Sequence, residues 1–257
     1  MTKIYEALEN AKTEVFHGAC KISPSRPGVI PSSSTFKLTM QSWKKALFRS
    51  GTVDDPSMAL RNPYHRLAME LYFDLGASDG GIILMLTCPS SPTPTKKVAM
   101  EMAGFLAGQQ GRQVLLIDTL YGGSPLSEQF WLDSRNGLLN YLAVEDESPN
   151  PAEYIKNTGK ERIDFMSHGH VDKGHTWLLN AGRLQQGLEP LRKRYDFILV
   201  LCSSVLNDPA ALSFPSFVDC VLFLALAGIT TKRELKACRR ALDRCQVKKT
   251  GLLFVHL

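Results

Sequence analysis

The chain has 257 residues, 44% of them hydrophobic and 21% charged, with a formal net charge of +5. That length suits one substantial core, or a core with a small appendage, and the composition excludes a disordered or fibrous protein. The longest apolar run, "DCVLFLALAG" from 219, is shorter than the roughly 20 residues a bilayer-spanning helix needs, so no transmembrane helix is expected.

The N-terminus, "MTKIYEALENAKTE", is polar and amphipathic and lacks the apolar centre of a secretory signal, which predicts a cytoplasmic protein. Ile4, Leu8, Ala11 and Val15 recur at helical spacing and predict a helix over 3–15. The following "KISPSRPGVIPSSSTFK" is rich in Pro and Ser and reads as a linker. Within the rest of that linker, "MQSWKKALFR" sets Trp43 and Leu47 among Lys44, Lys45 and Arg49, a basic amphipathic segment suited to docking on a membrane surface or a partner. Residues 1–61 hold nine Lys/Arg against five Asp/Glu, and are taken as an N-terminal helix plus a flexible basic linker.

From 62 to 257 the pattern changes. Apolar runs at 82–87 ("IILMLT"), 113–117 ("QVLLI"), 162–166 ("RIDFM"), 196–202 ("DFILVLC"), 219–226 ("DCVLFLAL") and 251–257 ("GLLFVHL") read as strands. Near-continuous Val/Ile/Leu of this kind marks strands covered on both faces, hence a parallel sheet. Helical stripes lie between them: Val98, Met102, Phe105 and Leu106; Trp177, Ala181, Leu184, Leu188 and Leu191; Leu235, Cys238, Leu242 and Cys245. Strand and helix alternating in this way predict an α/β fold, a doubly wound, mostly parallel sheet flanked by helices. Ligands of such sheets bind beyond the carboxyl ends of the strands, so the loops after Thr87, Ile117, Met166 and Cys202 are expected to gather around one crevice.

The loop after the first of these strands is "CPSSPTPTKK". It occupies the place of a glycine-rich phosphate loop in many nucleotide-binding folds, yet there is no glycine between Gly81 and Gly104. Pro89, Pro92 and Pro94 remove N–H donors and fix φ at about −65°, whereas a backbone cradle for phosphate needs donors and often positive φ.

"IYEALENAK", "GRQVLLID", "PNPAEYI", "RYDFILV" and "DCVLFLALAGITTKRELKACRRAL" together resemble the bacterial tyrosine autokinases, the cytoplasmic kinase partners of polysaccharide co-polymerases, whose deviant P-loop fold is shared with MinD and ParA proteins. The resemblance implies a P-loop-NTPase-like, three-layer sandwich over 62–257 and a nucleotide pocket at Thr95, Lys96, Lys97 and Asp118. Aligned without a gap, Thr95 takes the position of the family's Walker A lysine and Lys96 that of its Mg²⁺-binding hydroxyl. With one inserted residue Lys96 becomes the lysine, Thr95 replaces a glycine and Lys97 replaces the hydroxyl. Of the family's Asp-x-Asp only Asp118 remains, Leu120 standing at the second position, and the Walker B carboxylate falls on Leu201. No tyrosine follows Tyr195 to match the family's C-terminal tyrosine cluster. The ring-forming glutamate and arginines appear as Asn62, His65 and Ala68.

Four departures in a chain that keeps the core pattern predict a catalytically inactive scaffold or regulator of exopolysaccharide synthesis and export. The expected partner is the cytosolic side of a membrane polysaccharide co-polymerase, with a homo-oligomer also compatible. Its place would then be cytoplasmic, peripheral at the inner membrane through that partner. No cofactor is expected, ATP and Mg²⁺ entering only under the alternatives: an active ATPase or kinase using Lys96 and Asp118 unconventionally, or a ParA/MinD-like positioning protein. Nucleic-acid binding through the basic stretch 232–249 is not expected, since aromatics are not interleaved there.

"SHGHVDKGH" brings His168, His170, Asp172 and His175 together without a zinc signature, and reads as a polar loop ahead of a metal site completed by Cys88 or Cys202. The six cysteines form no C-x-x-C pair and read as reduced, buried thiols. Ser203 and Ser204 lack a nucleophile-elbow pattern and read as loop residues.

Overall fold

The computed structural model describes residues 35–38, 80–89, 93–120, 126–144, 150–170 and 180–255, all within the unit Ser33–Leu257. The expected helix over 3–15, the basic segment around Trp43, the stretch 62–73, Asp172, His175 and Trp177 lie outside them. In chain order the strands are β1 (Thr35–Leu38), β2 (Ile82–Thr87), β3 (Val114–Asp118), β4 (Lys156–Asn157), β5 (Ile163–Met166), β6 (Phe197–Cys202), β7 (Cys220–Leu226) and β8 (Thr250–Val255). The helices are α1 (Thr93–Gln110), α2 (Leu126–Gln129), α3 (Leu138–Ala143), α4 (Ala181–Arg192) and α5 (Lys232–Leu242), with 3-10 turns at Pro151–Glu153 and Pro209–Ser213.

The strands form one eight-stranded sheet in the order β1-β8-β7-β2-β6-β3-β5-β4. All neighbours run parallel except β4 and β5. Two features were not read from the sequence. Thr35–Leu38, inside the stretch read as linker, pairs in register with Thr250–Leu253. Lys156–Asn157 pairs antiparallel with Asp164–Phe165, and two polar residues are too few to print an alternating pattern.

Every residue of β2, β3, β6 and β7 is buried. Their side chains alternate between two apolar layers. Leu84, Leu86, Leu116, Leu199, Leu201 and Leu222 pack on one side with Val98, Met102 and Leu106 of α1. Ile83, Met85, Ile117, Ile198, Val200 and Val221 pack on the other with α3, α4 and α5, through Leu139, Leu184, Leu188, Cys238 and Leu242. Each fully buried aliphatic side chain contributes about 1.5–3 kcal/mol of transfer free energy, which makes these layers the main source of stability. The helical stripes land as expected, except that Ala181 is exposed and Cys245 lies beyond the end of α5. Caps set the helix starts: Asn180 accepts from the Arg183 N–H, and Thr231 and Glu234 form a reciprocal capping box.

At the amino end of the sheet one buried ion pair ties three elements together. Arg192, at the end of α4, is bonded through its guanidinium to both oxygens of Asp219, just before β7, and to the carbonyls of Gly81 and Phe217. Asp219 also accepts from the Ile83 N–H at 2.9 Å and from Lys248 at 3.0 Å. Burial alone would raise the Asp219 carboxyl, but Arg192, the Ile83 amide and Lys248 outweigh it and hold it below its ordinary value. A depressed carboxyl contributes stability above its unfolded-state value, near 3.8, and that contribution disappears as pH falls through the folded value.

Arg192→Met should therefore lower the unfolding free energy at neutral pH by about 3 kcal/mol, because it leaves a buried carboxylate with only Lys248 and the Ile83 amide. Chemical denaturation at a series of pH values should show the gap between variant and wild type closing as Asp219 is protonated below about pH 4.

Candidate functional site

The carboxyl ends of β2, β3, β5 and β6 lie side by side, with Thr87 opposite Cys202 and Asp118 opposite Leu201. The strand ends beyond which the crevice is expected are therefore adjacent, while residues 90–92, 121–125 and 171–179 of the loops that follow lie outside the described residues. Asp118 is the last residue of β3 and is only 2% exposed. Its Oδ1 accepts from the Leu120 N–H at 3.0 Å, and its Oδ2 from the Leu126 N–H at 2.7 Å. The carboxylate thus ties the end of β3 to the first residue of α2, and both of its oxygens accept a backbone amide. Burial pushes its pKa up, against the downward pull of the two amides and of Lys96 and His168. A raised carboxyl favours the fold below its unfolded value and loses that contribution as pH rises, so keeping Asp118 charged at neutral pH costs stability.

Lys96 and His168 are accordingly the side chains whose proximity works against burial at Asp118. Lys96 is half-buried and Lys97, one position on, is exposed. Thr95 is fully buried in the first turn of α1, and its Oγ1 has no hydrogen-bond partner among the described residues. Pro94 sits beside it at the start of the helix, where its lack of an N–H removes one donor that a helix start would otherwise offer to an anion.

Leu120 and Leu201, at the positions where the resemblance would set two further carboxylates, are 6% and 0% exposed. Both belong to the apolar layer beneath α1. The Leu201 carbonyl accepts from the backbone N–H and the hydroxyl of Thr119 at 3.0 and 2.7 Å, which locks β3 to β6 at this end. Only one of the three carboxylate positions therefore carries an oxygen ligand.

The loop after β5 is fastened to the start of α3. Ser167 and His168 carbonyls accept from the Leu138 and Leu139 N–H groups at 2.8 and 2.9 Å. The Asn140 amide donates to the His170 carbonyl at 2.7 Å, and its oxygen accepts from the His170 N–H at 3.1 Å. Gly137 permits this approach, since a Cβ there would stand 2.1 Å from the Ser167 oxygen. Neither Gly137 nor Asn140 was singled out from the sequence, although "NGLLN", a turn pair leading into an apolar run, carries the signal. Among the described residues no three of His, Cys, Asp and Glu come together as a metal site.

Cys202 is fully buried, and burial pushes its thiol up to about 12 even though the Thr119 hydroxyl lies 3.5 Å from its sulfur. Such a thiol stays protonated at neutral pH and is no nucleophile. Cys88, Cys220 and Cys238 are likewise buried, as the sequence predicted, whereas Cys245 is half-buried and Cys20 lies outside the described residues. Ser204 sits in a turn, its hydroxyl accepting from the Leu206 N–H at 3.2 Å. No described helix is long and apolar enough to cross a membrane.

No family model matches the chain. It is similar to the tyrosine-protein kinase Etk of Escherichia coli K12, 26% identical over 235 residues, which cover 87% of this chain and 32% of that protein. The chain thus spans about a third of this relative's length. Its structure matches the kinase domain of the Escherichia coli tyrosine kinase ETK with a TM-score of 0.67 and 24% identity, covering 86% of this chain and 88% of that one. A ParA family ATPase from Chlorobium tepidum matches with a TM-score of 0.54 and 12% identity, over 69% of this chain and 74% of that one. The homologues of this chain are bacterial tyrosine-protein kinases, and its fold is that of their kinase domains and of ParA-type ATPases.

Two outcomes test the geometry. Thr95→Val, which removes an orphaned hydroxyl at constant shape, should raise the unfolding free energy by about 1 kcal/mol in a denaturant titration. Alkylation of the native protein at mildly alkaline pH should leave Cys202 unmodified until denaturant is added, read by peptide mass mapping.

Proposed function

We propose that this homologue of the bacterial tyrosine-protein kinases is a catalytically inactive scaffold or regulator in exopolysaccharide synthesis and export. One observation carries the reading: Leu120 and Leu201, both sealed in the apolar layer under α1, stand where the resemblance calls for carboxylates. Mg²⁺ takes near-octahedral oxygen ligation, keeps several of its waters, and is held in such sites by hydroxyl, carboxylate and phosphate oxygens. Of the three positions where the resemblance calls for a carboxylate, Asp118 alone has one, and its two oxygens already accept backbone amides. The donor set does not fit a magnesium–nucleotide complex, so no phosphoryl-transfer step is assigned to it. Lys96 and the exposed Lys97 are worth only about a kcal/mol each toward a phosphate in water, too little for tight binding without metal and backbone donors.

A fold kept without its chemistry serves as a surface. The surface this reading assigns is for the cytosolic side of a membrane polysaccharide co-polymerase, which would hold the chain peripherally at the inner membrane. Lys96, Asp118 and Thr95 then remain as a relic pocket, with Asp118 retained for its tie to α2.

Calorimetric titration of the full chain with ATP and Mg²⁺, run beside a tyrosine autophosphorylation assay, tests the loss of chemistry. The expected result is no magnesium-dependent affinity tighter than millimolar and no phosphotyrosine. Micromolar, magnesium-dependent binding with tyrosine phosphorylation would instead establish an active kinase working through Lys96 and Asp118. Co-purification with a membrane protein of two transmembrane helices is the expected outcome for the scaffold role.

A further inference from the structure

The strongest feature that the pocket leaves unused is the outer face of α5. Lys232, Arg233, Lys236, Arg239, Arg240 and Arg244 are all exposed. They recur at intervals of three and four and so share one side of the helix. The opposite side is fixed, because Cys238 and Leu242 are buried in the layer beneath α5. The helix therefore cannot roll to hide its cations.

Few acids offset this charge: residues 232–249 hold eight Lys/Arg against Glu234 and Asp243. Glu234 is turned back onto Thr231 in the capping box, both the backbone N–H and the hydroxyl of Thr231 lying within 2.8 Å of its Oε2. Lys248 is paired with Asp219. Along about 16 Å of helix the protein thus presents a strip of five cations, with Arg244 just past the helix end as a sixth. Ile229, in the turn that leads into the helix, is 56% exposed. Gly228 and Thr230 shape that turn, with the Thr230 hydroxyl accepting from the Leu226 N–H at 2.9 Å.

We propose that the outer face of α5, with Ile229 at its edge, docks this protein directly on an anionic lipid surface. Four to eight Lys/Arg gathered on an amphipathic helix constitute an electrostatic match for acidic headgroups. Here the apolar side of the helix is already spent on the core, so the contact is peripheral, reversible and screened by salt. A lipid surface is favoured over nucleic acid by the neighbours of the charge. An exposed isoleucine gains from a bilayer's interfacial region and nothing from a phosphate backbone, while the strip has no aromatic, Asn or Gln side chain to stack on or read bases. This contact does not depend on whether the nucleotide pocket is active.

Co-sedimentation of the full chain with two kinds of vesicle tests the proposal: phosphatidylcholine alone, and phosphatidylcholine with one third phosphatidylglycerol. Binding is expected to the acidic vesicles only, and to fall steeply between low and physiological salt. Each neutralised cation should cost about fivefold in partitioning, so Lys236→Gln with Arg240→Gln should lose about twentyfold. A second pair, Arg233→Gln with Arg244→Gln, should lose as much, with the thermal midpoint of both variants unchanged because all four side chains are exposed. Equal binding to neutral vesicles overturns the proposal. So does wild-type partitioning of both double variants, which would assign the binding to the basic residues within 1–61. Retention on duplex DNA through these arginines, without vesicle binding, would overturn it in favour of a nucleic-acid surface.

Discussion

A strand covered on both faces has room for polar groups only at its ends, and this constraint organises the whole molecule. In β2, β3, β6 and β7 every residue is buried, so the interior of the sheet is committed to apolar side chains of alternating orientation. Charge is confined to the two rims and to the outer faces of the helices. Each rim then has to satisfy whatever polar group it keeps.

The rims solve that problem differently, as two aspartates demonstrate. Asp219, at the amino rim, has the fixed guanidinium of Arg192 and a second cation in Lys248, and its carboxyl is held low. Asp118, at the carboxyl rim, has two backbone amides but only longer-range help from Lys96 and His168, and burial wins. A full opposite charge in contact offsets desolvation, whereas neutral dipoles and remote charges do so only in part. The amino rim is therefore a structural clamp. The carboxyl rim carries residual strain of an electrostatic kind, which is where α/β sheets place their chemistry.

Replacing a rim carboxylate by leucine does more than delete a ligand. Leu120 and Leu201 lie in the layer under α1 and add to its packing. Apolar residues at these strand ends serve the core rather than the rim. What the fold then offers to partners is its outside, where α5 concentrates the cations that the interior excludes.

The parallel sheet, six of its eight strands and the buried stripes of α1, α4 and α5 were legible in the sequence, because burial on one or both faces writes a period that residue types report directly. Asp118, Lys96 and the leucines at 120 and 201 could also be placed by motif order. Tertiary structure alone decided that Lys96 and His168 act on the Asp118 carboxyl, that the Thr95 hydroxyl is buried without a partner among the described residues, and that Asp118 spends both oxygens on the Leu120 and Leu126 amides. It alone revealed the Arg192–Asp219 clamp, β1 and β4 as sheet members, and Gly137 and Asn140 as the clasp of the loop after β5. The physical reason is range: periodicity is a property of neighbours along the chain, while ion pairs, loop clasps and short edge strands join residues tens of positions apart and leave no local pattern.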